Sequence, residues 1–77
     1  MSNEYLQRAV RDLRLQAQSR KAKAAEVALD ALEEETKGEL ATAQTLKIKA
    51  MHYLGESYGI MSAADQIEKL LALESLL

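Results

Sequence analysis

The chain contains no cysteine, no proline, no phenylalanine and no tryptophan, and its one histidine is His52. Without cysteine there is neither a disulfide nor a thiolate metal site, and a lone histidine excludes a histidine-rich one, so no metal or cofactor is expected. Glycine occurs three times, and residues 2–37 hold neither glycine nor proline. No apolar run approaches the roughly 20 residues of a membrane span. The first residues also lack the apolar stretch of a secretory leader. A soluble, cytoplasmic protein without a membrane partner is the expectation. A net charge of −2 disfavours a dedicated nucleic-acid binder over the chain as a whole.

Leucine, alanine and the long charged residues dominate, and these are the strong helix formers. The expected class is all-α. Seventy-seven residues make one domain, 1–77. A chain this short buries only about 60–65% of its unfolded-state surface, and the usual supplements are disulfides, metals or oligomerisation. Composition removes the first two. A protein partner remains.

The hydrophobic pattern predicts a long first helix over about 3–37, capped by Ser2 or Asn3 with Glu4 in its first turn. Leu6, Val10, Leu13, Ala17, Arg20, Ala24, Val27 and Ala31 recur at alternating spacings of four and three, the seam of a heptad interrupted at Arg20. A second track, Ala22, Ala25, Leu29 and Leu32, runs beside it. Polar Gln18–Ser19 is where the helix could break, but one continuous helix is expected. Gly38 fits the residue just past a helix C-terminus. A second helix is predicted over about 39–58, with Leu40, Ala43, Leu46, Ala50, Met51, Leu54 and Tyr58 inward and Gly59 at its end. Ser62-Ala63-Ala64-Asp65 reads as a variant capping box, opening a third helix over about 63–76. That helix carries Ile67, Leu70, Leu71, Leu73, Leu76 and Leu77 on a wide face. The expected architecture is therefore three helices, a long N-terminal one plus an antiparallel hairpin, with coiled-coil-like packing. Leu76 and Leu77 are expected to dock on the first helix or on another chain.

Leu54, Gly55 and Tyr58 match the Leu-Gly-x-x-Tyr core of a tetratricopeptide first helix, and residues 47–74 resemble one such repeat. Met51, Ile67, Leu71 and Glu74 depart from the family pattern, and no proline closes the unit. The resemblance implies an antiparallel pair at 40–58 and 62–77 crossing closely at Gly55. A single repeat implies no peptide-binding solenoid groove. In size and layout the chain is similar to small helical co-chaperones of bacterial type III secretion, which implies a chaperone or adaptor role.

Charge is sorted by sign along the first helix. Arg8, Arg11, Arg14, Arg20, Lys21 and Lys23 against Asp12 give +5 over residues 8–23, and Glu26, Asp30, Glu33, Glu34, Glu35 and Glu39 against Lys37 give −5 over 26–39. Both blocks oppose the helix macrodipole, so an antiparallel partner helix should neutralise them. Two copies crossing near residues 23–24 would set Arg8 level with Glu39, Arg14 with Glu33 and Lys21 with Glu26, with Arg11 in the same basic row. An antiparallel homodimer satisfies this, as does a helical heteropartner with the opposite pattern. The candidate partner-binding residues are Leu6, Val10, Leu13, Ala17, Ala24, Leu71, Leu76 and Leu77.

Catalysis finds little footing. His52 has Glu56 at i+4, but no nucleophile is on a recognisable motif, and so small a chain builds no pocket for general acid–base work. Glu33, Glu34 and Glu35 point around the helix instead of converging on a metal. No enzyme is expected, and no catalytic, cofactor or metal residue is assigned. The leading expectation is a small interaction module, a chaperone, co-chaperone or adaptor that clasps a helical partner or self-associates. The alternatives are a regulator binding nucleic acid through residues 8–23, where no aromatic is interleaved for base stacking, and a phage or plasmid inhibitor of a host complex.

Overall fold

The computed structural model describes residues 3–76, and Ser2 as a cap and Leu77 as a docking residue lie outside them. Two helices make up the fold: α1 (Asn3–Thr36) and α2 (Leu40–Leu76), packed antiparallel in a rod 60 × 14 × 11 Å across its principal axes. The helix α1 runs unbroken through Gln18–Ser19. No helix among the described residues is long and apolar enough to cross a membrane.

The turn follows from one glycine. Gly38 has φ of +82°, the left-handed conformation that glycine adopts without a Cβ penalty. Its N–H donates to the Glu35 carbonyl at 3.0 Å, and the Glu39 N–H donates to Glu34 at 2.9 Å. These two bonds form a Schellman cap, satisfying carbonyls that the end of α1 would otherwise leave open. The Glu39 carbonyl then accepts from the Ala43 N–H at 2.9 Å, so the chain leaves one helix and enters the next within three residues.

The expected three-helix arrangement is not formed. Where the second and third helices were to be separated, at Gly59 and Ser62–Asp65, α2 continues without interruption, and the tetratricopeptide-like turn between 58 and 62 is absent. The reason lies in the heptad. Ala43, Leu46, Ala50, Tyr53, Ser57, Ile60, Ala64, Ile67 and Leu71 alternate by three and four, and all are buried or half-buried. Breaking the helix at Gly59 would take Ile60 to Leu71 out of register with α1. A helical glycine costs only about 1 kcal/mol, and the continuous seam offsets it. Nor does Gly55 mark a close crossing: a Cβ there, or at Gly59, would meet nothing within 4 Å.

The fully buried part of the seam is built from small side chains. Its buried core is Val10, Ala17, Ala24, Val27, Ala31, Ala43 and Ala64, with Ser57 as the one buried polar residue among those described. Ala17, Ala24 and Ala31 lie seven apart on α1, as do Ala43, Ala50, Ser57 and Ala64 on α2. The Ser57 hydroxyl donates to the Ala17 carbonyl at 2.7 Å across the interface. That distance lets the hydroxyl bond the facing backbone directly. Of the residues expected on the inner side of the second helix, Ala43 is buried and Leu46, Ala50 and Leu54 half-buried. Leu40, Met51 and Tyr58 are exposed.

Four substitutions check this construction. In urea denaturation at fixed protein concentration, Gly38→Ala should lose about 1–2 kcal/mol through its left-handed backbone. Gly59→Ala should gain about 0.5–1 kcal/mol as a helix-interior substitution; a loss there would contradict the continuous α2. Ala17→Leu should cost about 1–3 kcal/mol by overpacking. Ser57→Ala, which removes one hydrogen bond but adds a better helix former, should cost about 1 kcal/mol or less. The reverse ranking would contradict the tight seam.

Candidate interaction surface

With the seam at its centre, the hairpin has two long flanks. On one, the heptad row next to the seam of α1 is Gln7, Arg14, Lys21, Ala28 and Glu35, and that of α2 is Lys47, Leu54, Met61 and Glu68. Ion pairs connect the ends of these rows. Lys47 Nζ lies 2.9 Å from Glu35 Oε2, and Arg14 Nη2 lies 2.8 Å from Glu68 Oε2 and 3.4 Å from Asp65 Oδ1. Stepping inward by seven from either pair sets Ala28 across from Leu54 and Lys21 across from Met61. Between the two ion pairs the flank is apolar except for Lys21. An open groove of about 280 Å³ runs there, lined by Lys21, Ala24, Ala25, Ala28, Ala50, Met51 and Leu54.

Large side chains extend the groove on both helices. Leu32 lies one heptad beyond Ala25, and Tyr58 one heptad beyond Met51; Leu29 and Ile48 stand on their outer edges. Leu29 is 65% exposed, Leu32 57%, Met51 71% and Tyr58 64%. The other flank is more polar over the same length. A groove there is lined by Ser19, Arg20, Ala22, Lys23, Glu26 and Tyr53, with Arg20 Nε 3.4 Å from Glu56 Oε2 and Lys23 Nζ 3.7 Å from Glu26 Oε2.

The sequence-derived residues fall into separate places. Val10, Ala17 and Ala24 are buried against α2, Leu13 and Leu71 are half-buried, and Leu6 sits 38% exposed at the open end. The seam that these residues form is thus occupied within the chain. Leu76 is 82% exposed and does not dock on α1. Among the charge-pairing candidates, Arg14 is held by Asp65 and Glu68, and Glu26 by Lys23. Arg8, Arg11, Lys21, Glu33 and Glu39 are exposed. Lys21 and Glu26, expected to pair between copies, line grooves on opposite flanks. Of the six bases in residues 8–23, Arg14, Arg20 and Lys23 have carboxylates against them.

Ala28, Leu29, Leu32, Met51, Leu54 and Tyr58 were not assigned to a partner from sequence. The signal for half of the flank was present in the second track of Ala22, Ala25, Leu29 and Leu32; the α2 half was read as core. His52 is exposed, and no group of three potential metal ligands occurs among the described residues. Set against family models, curated proteins and solved structures, the chain matches none of them.

Proposed function

We propose that this protein is a non-enzymatic helical interaction module of the cytoplasm, a chaperone or adaptor that works by covering the apolar flank of its hairpin with a protein partner. One observation carries this reading. The hairpin buries alanine, valine and serine, while Leu29, Leu32, Ile48, Met51 and Tyr58 remain half-exposed or more. A stand-alone domain gains most by burying its largest apolar side chains, and a contiguous exposed apolar patch of this kind marks an interaction surface. The ion pairs at Arg14–Glu68 and Lys47–Glu35 give the patch a polar rim at each end, the anatomy of a protein interface. Carboxylates facing half of the basic block weaken the case for nucleic acid.

The test is site-specific photo-crosslinking in a native lysate, with a benzophenone amino acid at Met51 and, separately, at Glu33 on the other flank. Discrete protein adducts from position 51 and none from 33 are expected. No adduct from position 51, or equal labelling from both, would overturn the reading.

A further inference from the structure

We infer that the occupant of this flank is a second copy of the same chain, packed face to face as an antiparallel four-helix bundle with the two turns at opposite ends. The inference rests on the interaction-module reading and assigns its partner.

Size is the first argument. The flank runs along a rod 60 Å long and 14 Å wide, a face of the scale on which a standard interface of about 800 Å² per partner can form when its charged ends are covered along with its apolar middle. A second two-helix hairpin laid along it covers this face, which is the geometry of a four-helix bundle. A flank that is apolar at its middle and charged at both ends is also self-complementary about a two-fold axis through that middle, as an isologous contact requires.

Charge selects the orientation. Two hairpins can meet face to face about a two-fold axis that runs either along the helices or across them. The first sets turn beside turn; the second sets each turn beside the other copy's open end. At the open end, Arg8, Arg11, Arg14, Arg20, Lys21 and Lys23 against Glu4 and Asp12 give α1 a charge of +4, and Glu56, Asp65, Glu68 and Glu74 against Lys69 give α2 −3, a balance of +1. At the turn end, Glu26, Asp30, Glu33, Glu34, Glu35 and Glu39 against Lys37 give −5, and Lys47 and Lys49 return +2, a balance of −3. Turn beside turn would abut two ends of −3, a like-charge contact that costs association. Turn beside open end sets −3 against +1 at both ends. It also lays the basic half of α1 along the acidic half of the other α1. Centred on Ala25, this register puts Arg11 level with Glu39 of the second copy, and Ala25 level with itself.

Sedimentation equilibrium of the purified chain should give twice its 8.5 kDa mass. Met51→Glu and Leu29→Glu, at exposed positions, should each weaken association by about tenfold or more. Leu73→Glu, exposed but on the other flank, should leave the mass unchanged. Because the chain has no cysteine, single cysteines report geometry directly: Ala25→Cys should form an intermolecular disulfide readily under mild oxidation, and Glu33→Cys should not. A monomer at millimolar concentration overturns the inference. So does a dimer dissociated by Leu73→Glu and not by Met51→Glu, or a dimer in which Ala25→Cys fails to cross-link. A monomer whose position 51 still labels a lysate protein removes the second copy while leaving the interaction module standing, whereas absence of both removes the two together.

Discussion

The spacing of the two helices is the constraint from which the rest follows. Residues of one or two side-chain heavy atoms recur every seventh position on both sides of the seam, at Ala17, Ala24 and Ala31 and at Ala43, Ala50, Ser57 and Ala64. Helices in contact through such residues approach more closely than leucine would allow, and ridges and grooves set interaxial distance by the side chains at the contact. Close approach explains why a serine can sit in the core: its hydroxyl reaches the Ala17 carbonyl at 2.7 Å and no buried polar side-chain atom is left unpartnered among the described residues. It also explains the outside. Alanine or serine at every seventh seam position leaves Leu46, Tyr53, Ile60, Ile67 and Leu71 only half-buried between them, and Leu29, Leu32, Met51 and Tyr58 stand exposed outside the seam. Tight internal packing and an apolar exterior are one structural choice.

The gain from such a seam is limited. Burying a methyl group stabilises far less than the roughly 1.5–3 kcal/mol of a buried leucine or isoleucine, while the backbone cost of ordering, about 1–2 kcal/mol per residue, is spent on alanine as on leucine. The pairs Arg14–Glu68, Arg20–Glu56 and Lys47–Glu35 link α1 to α2 but are half-exposed, and such pairs contribute about 0–1 kcal/mol each. Their service is to fix register. Three cross-helix pairs distributed along the rod, one near each end and one near its middle, agree on a single alignment, and a slip of one heptad would break all three. Small residues by themselves would tolerate that slip, since alanine follows alanine at every seventh place.

What could be read from sequence divides along the same line. The first helix was legible almost to the residue, because 34 residues without glycine or proline admit little else and Gly38 supplies an unambiguous stop. The second was divided wrongly because Gly59 and the Ser62–Asp65 capping signal are local, whereas the heptad from Ala43 to Leu71 that overrides them is visible only when α1 is set beside it. Met51 and Tyr58 were placed inward with Ala43, Leu46 and Ala50 by the apolar pattern of α2 alone. An apolar pattern is a fair guide to burial in a thick core, but here the most deeply buried positions, every seventh along the seam, belong to alanine and serine. Val10, Ala17 and Ala24, assigned from the heptad to a partner helix, are covered by α2 of the same chain.

The charge pattern of α1 gains its sense from two neighbours instead of one. Its basic start and acidic end oppose its own dipole, and α1 has no basic residue in its last turn. Antiparallel packing brings α2, which begins with Lys47 and Lys49 and continues with Glu56, Asp65 and Glu68, into opposition along the whole length. Yet α2 carries fewer charges than α1: it returns +2 against −5 at the turn end and −3 against +4 at the open end. The hairpin therefore cancels part of the sorting and leaves the remainder on its surface with the same polarity. A sequence needing only an intramolecular match would reach it with equal blocks. The excess on α1 is what a second antiparallel helix of the same kind would offset in part, and it borders the flank from which the large apolar side chains project.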